Sequence, residues 1–144
     1  MRIDLSGAKT LDTLIPKGTY QATITDGEVR ESKDGPSDKN PTGQYVHWEF
    51  TLEGGDYDSW KQWKNTPLGG DGIGFLKEVL SASGKYTDES LSGEIDFEVD
   101  EVVGSTVMVT VRQREYPKGE VPKEYVNDVG KVRKFEGTVG GLLP

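Results

Sequence analysis

At 144 residues the chain has room for one domain, and a domain near that size buries roughly 70% of the surface its unfolded chain exposes. Hydrophobic residues make up 33% of it and glycines number 19, which favours short strands joined by turns over a helical bundle. The absence of cysteine excludes disulfides and thiolate metal sites and suits a reducing, cytoplasmic compartment. A net charge of −8 speaks against phosphate binding only until its distribution is seen: seven of the 25 acids (Asp88, Glu89, Glu94, Asp96, Glu98, Asp100, Glu101) crowd one segment, and 18 acids face 17 bases elsewhere.

The first residues, MRIDLSGAKT, contain no apolar signal-like run, and no stretch approaches the roughly 18 consecutive apolar residues of a membrane span. We therefore expect an unexported protein with no membrane partner, a single domain over residues 1–144 with flexible segments at 1–14 and 136–144. Thr19 to Val29 alternates, with Tyr20, Ala22 and Ile24 on one face, and predicts a first strand. Glu31 to Gly43 holds two prolines and two glycines among Ser, Asp and Asn, the composition of a long loop. Tyr45 to Leu52 alternates strictly, setting Val46, Trp48, Phe50 and Leu52 against Tyr45, His47, Glu49 and Thr51. After the turn at Glu53-Gly54-Gly55-Asp56, the aromatic-rich segment Tyr57 to Lys64 reads as a third strand paired back on the second.

The period then lengthens. Ile73, Phe75, Leu76, Val79 and Leu80 form the apolar face of a helix over Asp71 to Ser83, with Asp71 as its N-cap and Gly84 as its stop. The acidic stretch Asp88 to Glu101 is a connector ending in a short turn of helix, and Gly104 restarts extended chain. Thr106 to Arg114 turns Val107, Val109 and Val111 inward as a fourth strand. Tyr116 to Glu124 is a Pro/Gly loop, Tyr125 to Phe135 a fifth strand, and Glu136 to Pro144 a Gly-rich tail.

Three strands, one helix and two strands is the order of a five-stranded OB-fold barrel, a mainly β architecture whose longest hairpin loops, between strands one and two and between four and five, flank the ligand face. Several short strings carry a resemblance in the same direction: Ile15-Pro16-Lys17-Gly18-Thr19-Tyr20, Glu31-Ser32-Lys33-Asp34-Gly35, Gly74-Phe75-Leu76-Lys77, Val103-Gly104 and Asn127-Asp128-Val129. Over roughly Ile15 to Phe135 the chain resembles small bacteriophage single-stranded-DNA-binding proteins of replication and recombination modules. The resemblance implies an OB-fold, a role in phage DNA replication or recombination in the host cytoplasm, and phage or host replication proteins as partners. The chain departs from that family in a longer loop, Pro36 to Thr42, and in ending on Gly140-Gly141-Leu142-Leu143-Pro144 without an acidic tail.

Single-stranded nucleic acid is bound by stacking bases on aromatic rings, worth roughly 1–3 kcal/mol per base, while cations track the phosphates. If the even positions of strand two face the core, Tyr45 and His47 face outward. On strand three, Trp60 and Trp63 have opposite parity; the parity that exposes Trp63 also exposes Lys61 and Tyr57, which makes Tyr45, Lys61 and Trp63 the preferred set and Trp60 the reserve. From Arg112 to Lys134 seven bases face four acids, and Arg112, Arg114, Lys131 and Arg133 are the candidates for phosphate contacts. Against this stands the plainer reading of barrel-closing aromatics and solubilising charges paired with Glu115 and Asp128.

Catalysis has little to draw on. His47 is the only histidine, there is no cysteine, and no serine sits in a nucleophile elbow. Gly69-Gly70-Asp71-Gly72-Ile73-Gly74 lacks the Lys-Ser/Thr of a phosphate-binding loop, and Asp96, Glu98 and Asp100 lack the central glycine and distal Glu of a calcium loop. The expectation is a non-catalytic binder of single-stranded DNA with no cofactor or metal, assembling through free strand edges as a homo-oligomer, a dimer by preference. The alternative is a protein-interaction or structural module that uses the same barrel to hold a host or virion protein.

Overall fold

A computed structural model describes residues 14–115 and 125–135. Five antiparallel strands, β1 (Gly18–Glu31), β2 (Gln44–Leu52), β3 (Lys61–Pro67), β4 (Thr106–Glu115) and β5 (Tyr125–Lys134), form one sheet in the order β3-β2-β1-β4-β5. Helix α1 (Ile73–Ser83) lies between β3 and β4, and a single helical turn, α2 (Val99–Val102), precedes β4. The fold is mainly β, with the strand and helix order read from the sequence.

The long strand β1 organises the sheet. Its first half pairs with β4 (Gly18 with Val111, Ala22 with Val107) and its second half with β2 (Ile24 with Phe50, Val29 with Val46). Thr25 is the extra residue of a bulge between Ile24 and Asp26, and such a bulge bends and twists a strand so that it can serve both halves of a curved sheet. Alternation does the rest: Val46, Trp48, Phe50 and Leu52 from β2, and Val107, Val109 and Val111 from β4, are almost wholly buried. Each such side chain contributes about 1.5–3 kcal/mol relative to exposure. The Trp48 indole N–H, which would be orphaned in that core, donates to Thr66 Oγ1 at 2.8 Å.

Three expectations are corrected. The sheet is open, not a closed barrel: β3 and β5 are its two edges and come within 8 Å of each other without strand pairing. The third strand begins at Lys61, not Tyr57, because Gly54, Gly55 and Ser59 take positive φ (80°, 69° and 72°) and Gly55–Tyr57 forms a 3-10 turn that extended chain cannot cross. Tyr57 is consequently not presented to solvent with the strand face but packs edge-on between Tyr20 (6.1 Å) and Trp60 (5.1 Å).

The helix also differs in detail. Asp71 sits inside a 3-10 turn, Gly70–Gly72, so the N-cap is Gly72 and no side chain caps the helix. Leu76, Val79 and Leu80 form a buried i, i+3, i+4 stripe, whereas Phe75, one position off that stripe, is 51% exposed, and Ile73, in the first turn, is 43% exposed. Gly84 ends the helix in the left-handed conformation (φ 76°) as expected. The loop Tyr116 to Glu124, the tail from Glu136 and residues 1–13 lie outside the described residues. Among the described residues no helix is long and apolar enough to cross a membrane.

Candidate functional site

The outward faces of β2 and β3 are fixed by register. Trp63 lies opposite Glu49, Asn65 opposite His47, Lys61 opposite Thr51 and Tyr45 opposite Pro67. Trp63 is 47% exposed although it stands inside a strand, a large apolar side chain left in water where a Thr or Lys would cost nothing. Beside it, His47 Nδ1 donates to Asn65 Oδ1 at 2.6 Å, which leaves the other ring nitrogen and the Asn65 amide N–H groups for a ligand.

The opposite wall comes from β4 and β5. Arg112 grips Asp128 with two parallel bonds (Nε at 3.0 Å, Nη2 at 3.1 Å), and Arg114 Nε reaches the same carboxylate at 2.7 Å. Arg112 can lie this low because residue 130 is glycine; a Cβ there would come within 2.8 Å of Arg112 Cδ. Between the walls stands Lys64, on the inward parity of β3 with the buried Gln62 and Thr66. Its ammonium emerges at the seam between the sheet edges, donates to the Gly130 and Val129 carbonyls at 2.8 and 3.3 Å, and sits 4.9 Å from the centre of the Phe75 ring. Burial holds the Lys64 pKa below its ordinary 10.5; Glu78 opposes that shift, Arg112 reinforces it, and Asp128 opposes it.

These side chains line one cleft of about 300 Å³ across the seam. Three cations and one carboxylate meet there beside an exposed indole, in a chain whose net charge is −8. The arrangement can hold a planar ring against Trp63 and an anionic group against Lys64, Arg112 and Arg114. Among the described residues no group of three His, Cys, Asp or Glu is placed to hold a metal ion.

The structure thus brings together three of the eight residues expected at the site: Trp63, Arg112 and Arg114. Tyr45, half-buried, and Lys61, exposed and held by Glu49 at 3.4 Å, share the outward face of β2 and β3 with Trp63 but lie outside the cleft. Trp60 is in the turn before β3, 37% exposed, so it and Trp63 both face solvent and the parity choice between them does not arise. Lys131 and Arg133 are exposed on β5, also outside the cleft; Gly130 and Lys131 together oppose Thr110 at a bulge, and Arg133 faces Met108. Lys64, His47, Asn65 and the bridging role of Asp128 complete the site, and the readable signal for Lys64 was a lysine on the inward parity of a strand.

A larger, apolar groove beside α1, about 470 Å³, shares no lining residue with this cleft. It has no cluster of cations, so the smaller cleft is the better candidate for an anionic ligand. No family model matches the chain, and no curated protein matches it.

Proposed function

We propose that the protein binds single-stranded DNA without chemical turnover, seating a base against Trp63 and the adjoining phosphates on Lys64, Arg112 and Arg114. The observation that carries this reading is the cleft itself: an exposed tryptophan and three cations, from strands far apart in sequence, converge on one 300 Å³ space in a chain of net charge −8. Stacking tolerates any base and the cations read only phosphate, so the binding is expected to be largely independent of sequence.

The architecture supports the same reading. The order β3-β2-β1-β4-β5 would close into a five-stranded barrel if β3 and β5 paired, and an OB-fold is such a partly open barrel, with its ligand face on strands two and three. The resemblance to small bacteriophage single-strand binders adds a setting, the protection of single strands during phage replication or recombination in the host cytoplasm. The two sheet edges would also allow the expected homodimer.

The experiment is a fluorescence titration with oligo-dT and with duplex DNA of equal length. Quenching of tryptophan emission by oligo-dT at lower concentration than duplex, weakening steeply as salt rises, is the expected result. Equal response to both, or none to oligo-dT, would remove this function.

A further inference from the structure

Helix α1 and the acidic connector enclose the 470 Å³ groove. Leu76 and Leu80 line it from the helix, and Leu91, Ile95 and Phe97 from the connector, with the exposed Ile73 beside them. From Glu94 to Glu98 the connector is neither helix nor strand, yet its burial alternates. Glu94, Asp96 and Glu98 are exposed, while Ile95 and Phe97 are half-buried against the core. Among the described residues the backbone groups of 94–97 make no hydrogen bond, and the carboxylates of Glu94 and Asp96 make no ion pair. The connector from Asp88 to Glu101 carries seven acids and no Lys or Arg; Lys77 on α1 is the cation among the described lining residues.

We propose that this groove docks an extended segment of a partner polypeptide in which apolar residues alternate with Lys or Arg. In an extended segment, residues two apart point to the same side, so its apolar side chains enter the groove together while its basic ones turn toward Glu94, Asp96 and Glu98. The unpaired backbone of 94–97 supplies donors and acceptors for strand addition, the source of affinity in such modes, and the groove supplies the selectivity. Nucleic acid is repelled from this face by the same carboxylates, so the two surfaces take different partners and the groove does not depend on the function proposed for the cleft.

The probe is the peptide acetyl-Lys-Val-Lys-Leu-Lys-amide, added to the full-length ¹⁵N-labelled protein, with the Glu-for-Lys peptide as control. Shifts at Leu76, Leu91, Ile95 and Phe97 and slowed exchange of the amides of 94–97 are expected with the basic peptide alone. Replacing both exposed acids, Glu94→Lys with Asp96→Lys, should weaken that binding at least about fivefold, as expected when two charge contacts become repulsive. Shifts confined to other surfaces, or an equal response to the acidic peptide, would overturn the proposal. So would groove shifts on concentrating the protein alone, which would make a second copy the occupant, or on deleting residues 136–144, which would make it the chain's own tail.

Discussion

Lys64 Nζ donates to the carbonyl oxygen of Gly130 at 2.8 Å, a side-chain tie between the two edges of a sheet whose edges do not pair. Lys64→Met keeps the apolar stem and removes the donor, leaving the Val129 and Gly130 carbonyls without it. The expected loss is about 1–2 kcal/mol of stability in urea unfolding, with faster amide exchange in β5. If both stay unchanged, the seam is held by packing alone.

Asp128 holds Arg112 and Arg114 in the cleft but also competes with any phosphate for them. The arginine side chains are about half exposed and Asp128 is 22% exposed, so solvent screens the pairs in part and Asp128→Asn should change stability by about 1 kcal/mol or less. Its effect on ligand should be larger. Released from Asp128, Arg112 should tighten oligo-dT binding and steepen the dependence on salt by up to about 0.7 log units, the value of one added phosphate contact. Weaker binding would mean instead that Asp128 sets the arginine geometry the ligand needs.

Strands that bury one face were legible because each position repeats the same choice: Val46, Trp48, Phe50 and Leu52 could only be one side of β2. The segment before β3 was not, because Ser59 takes φ 72°, a conformation that nothing in the residue type announces. Phe75 counted as core by hydrophobicity but falls outside the narrow stripe that α1 buries. At the site, Trp63, Arg112 and Arg114 could be nominated one by one from parity and charge. That they share a cleft depends on sheet curvature bringing β3 against β5, and the tie that marks it joins Lys64 to a residue 66 positions away.

Curvature has its own test at two glycines. Gly27 faces Trp48 across β1 and β2, and a Cβ there would lie 2.9 Å from the indole and 2.5 Å from Val99 Cγ1. The indole is fully buried and bound to Thr66, so it cannot yield; Gly27→Ala should destabilise by about 1–3 kcal/mol. Gly74, exposed in α1 with open space at its Cβ, should behave oppositely. Gly74→Ala is expected to stabilise by about 0.5–1 kcal/mol, measured in the same denaturation series.

Alkaline behaviour follows from three groups. Burial raises the Tyr86 pKa above its ordinary 10.0, helped by its hydrogen bond to Glu101, and burial with the neighbouring Tyr57 raises that of Tyr20. A raised phenol pKa means the fold prefers the neutral form, so this stability is present below the unfolded pKa and lost as pH climbs through the folded one. Lys64 has the opposite sign. Its lowered pKa means the fold disfavours the ammonium, a cost present at neutral pH and relieved as pH rises toward 10.5. Tyrosinate absorbance should therefore show late-ionising phenols that Tyr20→Phe and Tyr86→Phe each reduce by one. Tyr86→Phe should also lose less stability above about pH 10 than the parent protein.

Trp63 and Trp60 should separate stacking on a ligand from stacking within the protein. Trp63 is 47% exposed on a strand face beside Lys64, Arg112 and Arg114, and no aromatic ring of the protein packs against it among the described residues. Trp63→Ala should leave the unfolding midpoint nearly unchanged and weaken oligo-dT binding by about 1–3 kcal/mol. The slope of affinity against salt should stay the same, because no phosphate contact is removed. Trp60 is spent on Tyr57, edge to face at 5.1 Å, in the turn that starts β3. Trp60→Ala should cost about 0.5–1.5 kcal/mol of stability and leave oligo-dT affinity almost intact. Arg112→Gln gives the third corner, flattening the salt slope by somewhat under one unit while base stacking, and hence fluorescence quenching at saturation, persists. If the Trp60 variant loses DNA and the Trp63 variant does not, the binding face runs along the β2–β3 turn and not across the seam.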